Sequence, residues 1–326
     1  MSIADQSTVT FLAGQTVSSA TPLILAGIGE LIGELSGVIN IGIEGLMLSG
    51  CITAYTVADV TGNGWIGLGA AILAGMFVAA LFALVTIWAK ADQIVTGTAL
   101  NLLAAGSSAT IWAIFENWRE NSNLPIALPD HAGFSRLNIP YLSQIPFIGP
   151  AILNQYGIFY FTVLLAIVMW WILHHTRLGL IIRALGDSPE TCAAAGVKVR
   201  LYRTLCVLFA GGCAGAAGAY LSIMRTESFV VNMTGGAGFV VLVLVIFGRW
   251  SFIGLTLGCL LFGFLNSFQQ TLQTARYTSA SAWLQMLQHI PFEYFQMLPY
   301  LAAIFVLAIL SHRESGPRAL GRPWPE

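Results

Sequence analysis

No lysine or arginine occurs before Lys90, and apolar runs of membrane-spanning length recur along the chain. A helix needs about 20 apolar residues to cross a hydrocarbon core about 30 Å thick. Charged residues make up only 9% of the sequence, against about 25% in an ordinary soluble domain. A soluble protein of this size could not cover its surface with so little charge, and the mean hydropathy of +0.77 points the same way. The sequence therefore predicts an all-α, polytopic transmembrane helical bundle, a single domain over residues 1–326 with the lipid bilayer as its solvent. Its net charge of −1 predicts no nucleic-acid partner.

Apolar runs between polar breaks predict about nine spans, near 15–32, 38–58, 65–88, 94–115, 156–173, 204–224, 236–250, 253–271 and 294–311. A re-entrant piece within 15–58 would make the count eight or ten. If the segment 174–203 faces the cytoplasm, ten basic residues lie inside and four (Arg119, Arg136, Arg225, Arg276) outside. Nine spans then leave the C-terminus in the cytoplasm and the N-terminus outside. The long outer segment, 118–155, carries five prolines and reads as an ordered cap of extended and turn segments.

One stretch breaks the pattern. SGVINIGIEG, residues 36–45, places Asn40, Glu44 and three glycines inside apolar flanks, with Glu30 and Glu34 just before it. Three carboxylates facing lipid at depth would cost about 8–10 kcal/mol, at about 3 kcal/mol each. Non-helical backbone at membrane depth is tolerated where protein or a wet cavity satisfies its polar groups, and discontinuous helices line substrate paths in transporters. Asn40 and Glu44 are accordingly expected on a translocation path, so that leucine there would remove polar lining without harming assembly. Glu34 is expected at the inner surface, and the glycines would equally suit close helix packing. A second glycine cluster, MTGGAGF, opens the seventh expected span.

Within 174–203 the run Asp187-Ser188-Pro189-Glu190 is a helix-start signal, with Ser188 as cap and Pro189 at the first helical position. Gly196 should stop the helix, leaving a short one over 189–195 with small side chains. Such a helix can slot into a groove on another protein. A solvated linker whose basic residues merely follow the topology rule would look similar. The sequence has no GxxxxGK[ST] phosphate loop, no HExxH and no GxSxG. The five cysteines have no zinc-ligand spacing, so neither an enzyme nor a resident cofactor is expected.

Several segments, in order over about residues 20–270, carry a resemblance: ATPLILAGIGELIGELSGVINIGIEGLMLSG, DQIVTGTALNLLAAG, IPYLSQIPFIGP, IRALGDSPETCAAAGVKVRLYR and GGAGFVVLVLVIFGRWSFIG. Together they resemble permease subunits of bacterial nucleoside-type ABC importers, in the branched-chain amino acid and ribose permease superfamily. Leu35 departs from the subgroup, which usually has arginine there. The resemblance implies a multi-pass protein of the bacterial inner membrane and an ATP-binding subunit that holds ATP in place of this chain. It also implies a second, related permease subunit and an extracytoplasmic substrate-binding lipoprotein docking near the outer loop. It makes Asn40, Gly42, Glu44, Gly45, Gln93 and Asn101 candidates for the path. Asp187, Pro189, Glu190, Thr191, Ala194 and Gly196 become candidates for a coupling helix on the ATPase. A sugar (ribose-type) permease is the alternative. An ion-coupled secondary transporter would need a deep ionisable relay, for which only the acidic residues from Glu30 to Glu44 are available.

Overall fold

Helix boundaries follow the breaks in the apolar runs. The computed structural model describes residues 3–121, 134, 154–275, 297, 301 and 316–322. Its helices are α1 (Ile3–Leu35), α2 (Ile43–Thr61), α3 (Gly64–Ala83), α4 (Gln93–Asn121) and α5 (Gly157–His175). They continue with α6 (Arg177–Asp187), α7 (Pro189–Ala194), α8 (Val199–Ala219), α9 (Ala237–Phe247) and α10 (Phe252–Ala275). α3 and α8 each end in a wider, π-helical turn, Leu84–Trp88 and Tyr220–Arg225.

Among the described residues, seven helices are long and apolar enough to cross a membrane. The seventh expected span is different. α9 has only 11 residues, about 16 Å at 1.5 Å per residue, or half a bilayer core. The expected span at 294–311 and nearly all of the expected outer cap lie outside the described residues.

α8 is the most buried span and forms the axis of the bundle. Its run of alanine and glycine, AGGCAGAAGA, lets three other helices approach its backbone, the small-residue packing typical of membranes. Gly211 and Gly215 meet Gly75 and Ala71 of α3, Gly215 also meets Gly50 of α2, and Gly218 meets Met47. A side chain at any of these glycines would collide with backbone. α1 runs antiparallel to α8: Ser36 bonds Arg203, Gly29 packs on Ala210 and Ser18 bonds Tyr220. α10 then runs antiparallel to α1, with Leu255 beside Gly27 and Ser267 beside Ser19. The least buried spans are α4 and α5.

These pairings sort the helix ends into two groups. The ends of α1 and α3, the α6–α7 segment, the start of α8 and residues 316–322 share one end. There lie Lys90, Arg177, Arg183, Lys198, Arg200, Arg203, Arg249, Arg318 and Arg322. Arg119 and Arg225 lie at the other, Arg119 in a buried ion pair with Asp59 at 3.3 Å and Arg225 donating to Ser19. The described basic residues thus fall into the two groups that the sequence predicts.

Candidate functional site: a broken helix and its ties

The break between α1 and α2 starts with a glycine stop. Gly37 has φ +92°, its N–H donates to Glu34 O and the Val38 N–H donates to Gly33 O. This is the paired closure that ends helices where the next residue can turn left-handed. α2 begins only at Ile43.

Between these points the backbone needs partners, because no water reaches it freely at membrane depth. Side chains from α1, from α4 and from the break itself supply them. Ile39 N–H donates to Gln93 Oε1 at 2.8 Å, and Asn40 N–H donates to Glu30 Oε1 at 3.1 Å. Gly42 N–H donates to Asn40 Oδ1 at 3.0 Å. Asn101 spans the gap with both ends of its amide, accepting from Gly45 N–H at 2.8 Å and donating to Ile41 O at 2.9 Å. Gly97 lets α4 come this close, since a Cβ there would lie 2.7 Å from Gly42 N. The six path candidates therefore converge: Asn40, Gly42, Glu44, Gly45 and Gln93 are buried, and Asn101 is half-buried.

Glu44 ties this break to the second glycine cluster. Its Oε1 accepts from Thr234 Oγ1 at 2.5 Å and Gly236 N–H at 2.8 Å, and its Oε2 accepts from Gly238 N–H at 2.6 Å. Gly236, with φ +87°, is the residue before α9, so the carboxylate sits on the N-terminus of that helix. It also lies in the first turn of α2. Unpaired amide groups and the positive end of the helix dipole favour an anion in both places. Gly238 has to be glycine, because a Cβ would lie 2.6 Å from the Glu44 backbone. The charge that looks costly in the sequence is thus stabilised by two helix ends, and among the described residues no basic side chain pairs with it.

Glu34 lies at the expected end of the bundle, but under cover. It is the penultimate residue of α1 and only 2% exposed, and its Oε2 accepts from Trp250 Nε1 at 2.6 Å. The indole of Trp250 covers it, so it does not sit at an open surface. Glu30 is likewise buried.

The 174–203 segment contains more helix than the sequence predicts. α6, with Gly179 N–H bonded to Thr176 Oγ1, buries Gly179, Ile182, Leu185 and Gly186 and exposes Arg183 and Asp187. α7 follows and ends at Ala194, one residue short of the expected 195. Gly196, with φ +82°, closes it as predicted: the Gly196 N–H reaches Ala193 O and the Val197 N–H reaches Cys192 O. The expected cap at Ser188 is replaced by a hydroxyl pair, Ser188 Oγ with Thr191 Oγ1 at 2.7 Å. Glu190, Thr191, Ala194, Ala195 and Gly196 are exposed, and Cys192 is buried with Leu185 and Val199. Burial pushes the Cys192 thiol up, against the opposing pull of Arg203, so this cysteine packs as an inert thiol.

Three participants carried no sequence signal for these roles: Glu30 as acceptor for the break, Trp250 over Glu34, and Arg203, which had counted only toward topology.

The profile of the family described as "Branched-chain amino acid transport system / permease component" matches residues 12–307. The chain is 30% identical to the "Nucleoside ABC transporter permease protein NupC" of Lactococcus lactis, covering 96% of each chain. It is 31% identical to the "Guanosine ABC transporter permease protein NupQ" of Bacillus subtilis, covering 95% of this chain and 94% of the relative. A third relative, "Putative glucose ABC transporter permease protein TsgC13" of Haloferax volcanii, is 38% identical over 79% of this chain and 76% of its own length. No solved structure matches the chain significantly. A multi-pass helical bundle with a broken, internally satisfied helix, matched by that profile over most of its length, belongs to the permease-component family of ABC transport systems.

Proposed function

We propose that this chain is one of two related permease subunits through which an ABC importer carries nucleosides into the cell. The observation that carries the reading is the near-full-length similarity to the nucleoside permease of Lactococcus lactis, 96% of each chain. In this reading the basic end of the bundle faces the cytoplasm, α7 docks on the ATP-binding subunit, and the binding lipoprotein meets the opposite end. The half-length helix α9 and the broken segment at Asn40–Glu44 flank the translocation path. A reading as a sugar permease has its own support in the higher identity to the glucose relative over a shorter part of the chain.

Uptake by cells separates the two. Deleting the gene is expected to bring uptake of labelled guanosine, adenosine, uridine and cytidine to background, and a plasmid copy should restore it, while labelled glucose and ribose enter as before. Loss of glucose or ribose uptake with nucleoside uptake intact would replace the nucleoside reading with the sugar one.

A further inference from the structure

Arg203 is only 2% exposed, and among the described residues it forms no ion pair with a carboxylate. Its guanidinium instead donates to three carbonyls from three separate parts of the chain. Nε reaches Ser36 O at 3.0 Å, Nη2 reaches Leu185 O at 3.4 Å and Nη1 reaches Arg322 O at 3.2 Å. Ser36 O lies at the C-terminal end of α1 and Leu185 O in the last turn of α6. Both places carry the negative end of a helix dipole and unpaired carbonyls, so a buried cation is accommodated there without a counter-ion. A planar fork with five donors can address three carbonyls in fixed directions, which a lysine ammonium cannot.

Residues 316–322 run across the same junction. Ala319 N–H donates to Gly186 O at 2.7 Å and Gly321 N–H donates to Gly37 O at 3.2 Å. Gly316 packs on the Trp250 ring, and Gly321 approaches the Ile39 side chain. The segment therefore straps the end of α6, two residues before α7, to the start of the broken segment. Leu185, Cys192 and Val199 pack together, so α6, α7 and the start of α8 are held as one elbow. Displacing α7 would carry the Leu185 carbonyl, and with it Arg203, against Ser36.

We propose that Arg203, with the strap 316–322, is a positioning residue that relays movement of α7 to the broken segment between α1 and α2. The relay rests on the reading of α7 as the ATPase-docking helix. A simple brace would hold the junction together without transmitting nucleotide state, and this difference can be measured.

The assembled transporter, with ATPase and partner permease, is purified carrying Ile39→Cys as a reporter beside five native cysteines that are all buried. Trapping with ATP and vanadate is expected to change the maleimide labelling rate at residue 39 by about fivefold or more. With Arg203→Gln the ATPase should still co-purify, but the nucleotide-dependent change should fall to less than about twofold. Arg203→Lys should recover only part of it. If Arg203→Gln does not assemble, removal of residues 316–326 carries the test and should give the same loss. A full nucleotide-dependent change in an assembled variant would overturn the relay, as would a wild-type reporter that never responds. A wild type from which the ATPase is absent would refute the docking reading, and the relay with it.

Discussion

Glu44→Leu is expected to leave little folded transporter and no uptake. The substitution removes the acceptor for Thr234 Oγ1 and for the amides of Gly236 and Gly238. A buried donor without a partner costs about 1–3 kcal/mol, so leaving three without the carboxylate should cost about 3–9 kcal/mol at this junction. That is a large part of the 5–15 kcal/mol or so that holds a typical domain together. Glu44→Gln, which keeps one carbonyl oxygen but loses the charge at both helix ends, should fall between leucine and wild type. Thermal unfolding of the purified protein in detergent and its elution as a single species would measure both variants. From sequence alone leucine looks harmless because it suits the bilayer. The structure reverses this, since the donors left behind lie at and just before the start of α9, where lipid offers them no acceptor.

Ala194→Arg should act differently, leaving the bundle intact and abolishing transport. Ala194 is exposed near the end of α7. A surface change here should shift stability by no more than about 0.5 kcal/mol. If α7 fits a groove on the ATPase, a long charged side chain excludes it from that groove. Uptake should fall to background and the ATPase should be lost on co-purification. Gly196→Val should give the same result through the backbone, because φ +82° is a conformation that a β-branched residue adopts only under strain. Normal uptake by Ala194→Arg with the ATPase still bound would remove α7 from the coupling role.

The elements legible in the sequence were those set by local chemistry. Glycine and asparagine among apolar neighbours marked the break at 36–45, and the structure places the helix ends at Leu35 and Ile43. Pro189 and Gly196 marked α7 within a residue. What stayed hidden depended on partners far along the chain. Glu44 finds its donors about 190 residues away, and Arg203 bonds a carbonyl 167 residues before it. Nothing near either residue specifies those contacts. α6 was missed although its signal is local: Gly179, Ile182, Leu185 and Gly186 recur at helical spacing after the capping Thr176. The half-length of α9 was hidden for a simple reason. The expected span took in Gly248, Arg249 and Trp250 as well, while the helix ends at Phe247 and the chain turns at Gly248, where the backbone packs closely on Gly254.

In the proposed function this chain moves nucleosides with energy from ATP hydrolysed on a separate subunit. Proteoliposomes holding this chain, its partner permease and the ATPase, with binding protein outside and ATP inside, test it directly. They are predicted to accumulate labelled nucleoside after valinomycin and nigericin have collapsed the ion gradients, and to stop when a non-hydrolysable analogue replaces ATP. Accumulation that continues without ATP and vanishes with the ionophores would contradict the account and make the chain an ion-coupled carrier.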